Sequence, residues 1–408
     1  MSEKYFLSPF LVISLNLVIS LNNEDKFVLK NLLKGEKAVT VNSLGDIDPE
    51  NEQIRKFCFV EEGLVEFTKS AFQKLENFFK TQKTALGYIE TTSSCPYHCK
   101  ICPKGFNQQI RNQRDLQIEQ FDSIVKQIEG QSNLALHLFG DPLYDKDIYR
   151  KIRLANKYNI HPSFSTNLVA LNKLKLEEIA MLKIKDLTIS FDSSDNIILS
   201  SIRGKISKET IDRSIVMIRE LAKLAEQTGC IERIIIQKIQ LNNNDEDTVT
   251  VKNIASESPK TQFVHKKFIR FPKVRNYSKY GTLEKLEKGK SVFLYHLIGA
   301  KTPFKCLKPW IKNELAVNSD GNYVPCCLTL NSSINLGNIE NETISEVFDS
   351  EEHYLLRESV FLNSLKNNST CLTCPINEPN LEIPNELAES QSIEKLKKYI
   401  ISDWRFFP

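Results

Sequence analysis

What this sequence lacks narrows the reading first. It has no excess of one charge: over 408 residues, 54 Lys and Arg stand against 51 Asp and Glu, for a net charge of +3. That balance leaves no electrostatic footprint for nucleic acid or an anionic membrane surface, so neither partner is expected. It also lacks a run that could cross a bilayer. The apolar opening Phe6 to Leu21 is interrupted by Ser8, Pro9, Ser14 and Asn16. It is too short and too polar for the roughly 20 apolar residues a spanning helix needs. No small-residue cleavage site follows it, so it does not read as a secretory signal. Without a secretory context, ten cysteines point away from a disulfide framework and towards metal sites in a reducing compartment. A cytoplasmic location is expected. The chain is long enough for two or three domains with a substantial core.

The cysteines that are present fall in two groups. The first is Cys95-Pro-Tyr-His-Cys99-Lys-Ile-Cys102, just after the apolar run Ala85 to Glu90. Three thiols on one loop can wrap three corners of a cube-shaped iron–sulfur cluster and leave the fourth iron without a protein ligand. An open metal position separates a catalytic site from a closed structural one. A zinc site would want a fourth Cys or His nearby, and His98, adjacent to Cys99, is poorly placed to close a tetrahedron. The second group runs from Cys306-Leu-Lys-Pro309-Trp310 through Gly321 to Pro325-Cys326-Cys327, then Leu336-Gly337-Asn338, and ends at Cys371-Leu-Thr-Cys374. Gly321 ahead of Pro325 reads as a hairpin that delivers a thiolate beside Cys306. Four or five converging thiolates make a closed site suited to a second cluster, or to a four-cysteine zinc ribbon, since all-sulfur ligands do not distinguish the metals. Cys58 and Cys230 stand alone and read as apolar residues; His137 and His161 read as core or rim histidines.

In chain order, residues 11–16 and 17–22 repeat one strand-prone hexamer, Leu-Val-Ile-Ser-Leu-Asn. Helices are expected over Asp25 to Leu33, Glu52 to Phe59 and Ser70 to Gln82, with a short strand at Leu64 to Phe67. From Leu86 the pattern alternates strand and helix, which predicts a parallel sheet with covering helices. Strands are expected at Leu134–Phe139, Ile160–Ser165, Asp186–Phe191, Ile234–Leu241 and Phe263–Phe271. Helices are expected around Ile118–Ile128, Ile148–Tyr158, Leu174–Leu182 and Ile211–Ala225. Catalytic residues in such folds gather at the C-terminal ends of the strands.

The Cys95–Cys102 spacing resembles the signature of the radical SAM superfamily. In that family the open iron is chelated by S-adenosylmethionine (SAM), and one electron from the cluster yields a 5′-deoxyadenosyl radical that abstracts hydrogen from substrate. The resemblance implies an α/β fold, a partial (β/α)6 barrel over residues 85–290. Phe139-Gly140-Asp141-Pro142 resembles the family's Gly-Gly-Glu-Pro segment, whose backbone and carboxylate hold the SAM amino group. Here Phe139 replaces the first glycine and Asp141 the glutamate. Ser165-Thr166-Asn167 resembles the family's third-strand end, Ser190-Phe191-Asp192 its fourth, and Ile202-Arg203-Gly204 a following family-typical element. By resemblance Ser190 faces the SAM carboxylate or ribose, Arg203 pairs with the carboxylate, and Ile101 lies beside the adenine. Tyr97, Thr166, Asn167 and Asp192 fall to the same cofactor-binding set.

The second cysteine group resembles the SPASM/twitch extension of this superfamily, over residues 291–378. The additional cysteines of a full SPASM domain are absent, which implies one auxiliary 4Fe-4S cluster on Cys306, Cys326, Cys371 and Cys374, with Cys327 an alternate ligand or a spare thiol. Residues 1–84 resemble a small winged-helix-like α+β domain of the kind that recognises leader peptides in peptide-modifying members, and 379–408 form a helical tail. The expected function is radical modification of a ribosomally made peptide, with a reductase, flavodoxin or ferredoxin as electron donor. The alternative is a dehydrogenase acting on a small molecule such as a sugar or aminocyclitol. A third reading, a metal-stabilised binding protein without catalysis, would not need the strand-end motifs.

Overall fold

The computed structural model describes residues 5–7, 58–60, 76, 83–106, 111–241, 247–267, 306, 308–361, 369–372 and 374. Near its start, β1 (Tyr5–Leu7) pairs antiparallel with β2 (Cys58–Val60). The helix expected over Glu52 to Phe59 therefore ends in strand, because a partner remote in sequence captures this β-prone tripeptide. The doubled hexamer, the helix from Asp25, the Leu64 to Phe67 strand and the tail from residue 379 lie outside the described residues. Of the helix expected over Ser70 to Gln82, Glu76 is described, and it is helical.

The central sheet is parallel and follows sequence order. β3 (Tyr88–Ile89) bridges to Ala135, which bridges in turn to Ser163. Then come β4 (Phe164–Thr166), β5 (Ile184–Ser190), β6 (Ile231–Gln240) and β7 (Thr261–Lys267), each paired parallel with the one before. The strand expected over Leu134–Phe139 is reduced to the single bridge at Ala135. Beyond it two side chains take over the ladder: the amide of Phe139 donates to Glu90 Oε1 at 3.2 Å and that of Ser165 to His137 Nδ1 at 3.2 Å. Helices α1 (Ile118–Gln127), α2 (Ile148–Lys157), α3 (Lys173–Ala180), α4 (Asn196–Arg203), α5 (Lys208–Thr228) and α6 (Thr248–Ser256) connect the strands.

Strand alternation sorts the sheet into two faces. Leu187, Ile189, Ile234 and Ile236 are buried under the helices, whereas Thr188, Ser190, Ile235 and Gln237 are half-buried on the other face. α5 shows how the cover is made. Ile211, Ile218, Leu221, Ala222 and Ala225 are buried at helical spacing. Ser207 caps the start by accepting the Thr210 amide at 3.3 Å. Each such Ile or Leu contributes about 1.5–3 kcal/mol by leaving water, so Leu221→Asp would open this layer.

The C-terminal cysteine region continues the same sheet. β8 (Ala316–Val317) lies parallel to β3, and a hairpin carries it into β9 (Asn322–Val324) and then β10 (Gly337–Asn338). Three short helices follow, α7 (Ile344–Phe348), α8 (Glu351–Phe361) and α9 (Ser369–Leu372). The buried Trp310 donates its Nε1–H to Glu76 Oε1 at 2.7 Å, and Arg357 grips both oxygens of the same carboxylate at 2.7 Å. Glu76 is thus bound to the C-terminal part, inside the 1–84 stretch expected to stand apart.

Candidate cluster and cofactor site

The three-cysteine loop leaves β3 at its C-terminal end and is held from several sides. A Cβ on Gly105 would sit 2.0 Å from the Cys99 carbonyl oxygen, so only glycine allows the chain to fold back on itself here. The Cys102 amide donates to the Cys99 carbonyl at 3.0 Å, and Lys104 Nζ donates to the Cys95 carbonyl. The Lys100 amide reaches the Ile202 carbonyl in α4 at 2.8 Å, while Ile101 packs against Ile202 and Leu241. Cys95, Cys99 and Cys102 interact electrostatically with one another and are largely buried. Burial pushes the Cys95 and Cys99 thiols up to about 11, and Arg203 partly offsets this at Cys99. Burial raises Cys102 as well. Binding a metal group therefore requires these thiols to shed protons into solvent.

The strand-end residues converge on this loop, but not all in the way expected. A Cβ on Gly140 would meet the Thr92 carbonyl oxygen at 2.0 Å, and the Asp141 amide donates to the Ser94 carbonyl at 2.8 Å. The 140–141 segment is thereby laid against the residues leading into Cys95. The Asp141 carboxylate turns inward. It accepts the Leu143 amide at 3.1 Å, the Asn167 amide at 2.8 Å and the Thr166 hydroxyl at 2.9 and 3.1 Å. Burial raises its pKa, against the pull of those donors. Asn167 in turn points its side-chain amide at Cys95 Sγ, 3.9 Å away. Ser165 and Ser190 join hydroxyl to hydroxyl at 3.1 Å.

Arg203 is likewise engaged within the protein. Asp195 caps α4 by accepting the Ile197 and Ile198 amides, and the helix ends at Arg203. There Nε and Nη2 both donate to Asp192 Oδ2, at 2.9 and 2.6 Å. Asp192 Oδ1 accepts the Ile239 amide at 2.9 Å, and the buried Lys238 donates to the Asp192 carbonyl at 2.7 Å. Burial opposes the guanidinium charge, but Asp192 and then Cys99 hold its pKa above the ordinary range. Tyr97 sits beside Arg203, its phenol pushed up to about 12 by burial.

Sequence reasoning missed a third carboxylate. Glu90, fully buried at the end of β3, takes Arg111 Nη2 at 2.7 and 2.9 Å, and the Ser319 amide and hydroxyl at 2.9 and 3.0 Å. Arg111 Nη1 reaches Asp320 at 3.0 Å. An acidic residue at a strand's C-terminal end, just before the cysteine loop, was the available signal. The network joins the base of that loop to the β8–β9 turn. Breaking one buried partner costs about 3–5 kcal/mol.

In the second cysteine group, Cys306 and Cys326 act on one another, and Cys371 is acted on by Cys306, Cys326 and Cys374. Burial raises all three of the Cys306, Cys326 and Cys371 thiols. The Ser333 and Thr370 hydroxyls, 2.8 Å apart, tie α9 to the loop after Cys326. Cys327 interacts with Cys326 and Cys306 as well as with Lys308, Glu314 and Tyr88 on β3. Lys308, in a buried ion pair with Glu314 at 2.5 Å, interacts with Cys306, Cys326 and Cys327 alike. Among the described residues, no three Cys, His, Asp or Glu side chains close on one point as a single ion would need. A cluster presents a separate iron to each thiolate, and the all-thiol donor sets suit that group.

Comparison with known proteins agrees. A family model of the radical SAM superfamily matches residues 89–228, and one of an iron-sulfur cluster-binding domain, SPASM, matches residues 306–375. Among solved structures, the chain is similar to SuiB of Streptococcus suis bound to the precursor peptide SuiA. That match has 15% identity and a TM-score of 0.52, covering 83% of this chain and 81% of that one. SuiB bound to S-adenosylmethionine matches at 17% identity, TM-score 0.50, covering 78% and 76%. The structure of native anSMEcpe with bound AdoMet matches at 16% identity, TM-score 0.50, covering 77% and 96%. At these identities the likeness is one of fold.

Proposed function

The chain belongs to the radical SAM superfamily and carries a SPASM domain, and from that premise we propose that it modifies a ribosomally made peptide by hydrogen abstraction. The core binds a 4Fe-4S cluster and SAM, and the SPASM domain binds auxiliary iron–sulfur. When bound, the core cluster and SAM supply a carbon-centred radical able to take hydrogen from an unactivated C–H bond. The observation that carries the reading is the seat of the Cys95–Cys102 loop at the C-terminal end of β3, against the ends of β4 and β5 and beside the annexed SPASM hairpin.

In this reading Cys95, Cys99 and Cys102 hold the core cluster, and Cys306, Cys326, Cys371 and Cys374 hold one auxiliary cluster. Cys327 is the spare thiol. Asp141 acts through its neighbours, fixing Thr166 and Asn167 at the cofactor side of β4 while Gly140 brings backbone close to the loop. Asp192 orients Arg203 behind Cys99. Ile101, Ile202 and Leu241 exclude water from that flank. A peptide substrate is favoured by the fold shared with SuiB, which was solved with its precursor peptide. The electron donor is a reductase, flavodoxin or ferredoxin.

Residues upstream of Glu76 serve as the peptide-recognition part. An extended peptide would add there as a further strand, raising its local concentration at the barrel mouth. The test is anaerobic reconstitution with iron and sulfide counts, then assay of 5′-deoxyadenosine. A variant lacking residues 1–70 keeps Glu76 and its bonds to Trp310 and Arg357. It should still cleave SAM while turning over a full-length peptide poorly. Loss of SAM cleavage itself would make the segment part of the barrel and end the recognition reading.

A further inference from the structure

Three segments of the candidate site meet on one carboxylate, that of Glu90. Its Oε1 accepts the Phe139 amide at 3.2 Å, one residue before Gly140. Its Oε2 accepts the Ser319 amide at 2.9 Å and the Ser319 hydroxyl at 3.0 Å, in the SPASM turn between β8 and β9. Arg111 Nη2 spans the two oxygens, at 2.9 and 2.7 Å, while Nη1 reaches Ser319 Oγ at 3.2 Å and Asp320 Oδ2 at 3.0 Å. Arg111 is carried there by the chain that returns from the cysteine loop. That chain runs antiparallel to the residues leading into the loop: Thr92 bridges to Asp115, and the Ser93 amide donates to the Arg114 carbonyl at 3.1 Å. One ion pair therefore closes the neck of the loop bearing Cys95, Cys99 and Cys102, and ties it to the SPASM turn and the Gly140 segment.

Glu90 is fully buried, and the Arg111 side chain is 8% exposed. Among the described residues, Arg111 is the cation that pairs with this carboxylate. A carboxylate offers about four lone-pair sites, and Phe139, Ser319 and Arg111 fill them. It cannot follow one partner without releasing another. Gly140 has no slack to absorb such a shift, because a Cβ there would meet the Thr92 carbonyl oxygen at 2.0 Å. Removing Arg111 would leave a buried charge without its counter-charge, which then turns towards water or draws it in.

We propose that Glu90 is a positioning residue through which the SPASM turn sets the affinity of the core for SAM. This deepens the proposed function and rests on one part of it, that the Gly140 backbone lies against SAM. With the turn docked, Ser319 and Arg111 hold Glu90 in the orientation that fixes Phe139 and Gly140. With the turn displaced, the carboxylate is freed and the Gly140 backbone loses its fixed place beside the loop. Such coupling is reciprocal. A turn that favours SAM binding must itself be stabilised by SAM to the same degree. The Ser319 amide, donated to Glu90, reports that stabilisation.

The test uses the reconstituted full chain under anaerobic conditions, with SAM as the probe and no peptide. Arg111→Met should weaken SAM binding, read by calorimetry, by about tenfold, within the usual range of coupling between sites. Ser319→Ala, which removes the hydroxyl and keeps the amide, should weaken it less. Arg357→Met breaks another buried ion pair of the same domain, with Glu76, and is the control for lost stability alone. It should lower the urea midpoint of the metal-free protein and leave SAM affinity unchanged. In the wild type, SAM should slow hydrogen exchange across residues 318–322, and in Arg111→Met it should not. Circular dichroism checks folding; where Arg111→Met does not fold, Ser319→Ala and the wild-type exchange decide. Equal loss of SAM affinity in Arg111→Met and Arg357→Met, or exchange at 318–322 indifferent to SAM, overturns the proposal. Gly140→Ala separates it from the reading beneath it. Loss of SAM affinity in Gly140→Ala with none in Arg111→Met overturns the coupling alone. If neither variant loses affinity, SAM does not lie against Gly140 and both fall.

Discussion

Replacing Asp141 separates two roles for the aspartate of the Gly140-Asp141 segment. If its carboxylate held the SAM amino group, Asp141→Ala would chiefly weaken SAM binding. The structure instead gives that carboxylate three donors of its own chain, the Leu143 and Asn167 amides and the Thr166 hydroxyl. Each bond to a charged acceptor is worth about 1.5–3 kcal/mol. Against this stands the desolvation that raises the Asp141 pKa, and water can reach part of the vacated space in the alanine variant. The balance predicts a loss of about 2–4 kcal/mol in folding stability for Asp141→Ala, and about half that for Asp141→Asn, which keeps the shape but loses the charge. SAM affinity should change by no more than a few fold. Thr166→Val shares the clamp, so the double variant should depart from additivity by about 1 kcal/mol. Urea unfolding of the metal-free protein and calorimetric SAM titration of the reconstituted protein measure the two quantities. Wild-type stability together with a tenfold or greater loss of SAM affinity would refute the clamp and place the carboxylate on the cofactor.

Cys102→Ala should give no 5′-deoxyadenosine after reconstitution and dithionite reduction, since two thiolates cannot hold the cluster at its open corner; wild-type product would contradict the core assignment. A variant lacking Cys95, Cys99 and Cys102 should still carry about four irons per chain. Adding Cys374→Ala should remove them, and adding Cys327→Ala should not; a colourless protein with one zinc would favour the ribbon. Gly140→Ala should cost about 1–3 kcal/mol in urea unfolding, because its Cβ must push the Thr92 carbonyl aside; an unchanged midpoint would mean that the 140–141 segment is not packed against the loop. The buried His353 stays neutral, drawn from 6.5 to about 3 by burial and then by Arg357. Between those values the unfolded chain binds the proton and the folded one does not. Stability of the metal-free protein should therefore fall on acidification through that window, by at most about 1.4 kcal/mol per pH unit, and His353→Phe should flatten the dependence.

The sequence by itself determined the chemistry and the layer order. Three thiols at fixed spacing on one loop need no tertiary information to define three corners of a cluster. The 3.6- and two-residue periodicities from Ile118 to Lys267 place helices and parallel strands because burial of each face is encoded locally. Strand length was less legible. At 134–139 the apolar run reads as a strand, yet the Glu90 side chain, 49 residues away, takes the Phe139 amide, and His137 of the run takes the Ser165 amide 28 residues on; no local pattern reports either bond.

Only the tertiary structure decided where the carboxylates and cations of the candidate site point. Asp141 and Arg203 lie in segments that resemble family motifs, but their bonds to Thr166, Asn167 and Asp192 arise where loops after separate strands meet. The same holds for Glu90 with Arg111 and Ser319, for Glu76 with Arg357, and for the pairing of β8 with β3 across more than two hundred residues. Such contacts are long in sequence and short in space. A polar side chain buried with several candidate partners settles on whichever donors or acceptors the packed strands leave unsatisfied, and that remainder exists only once the sheet has formed.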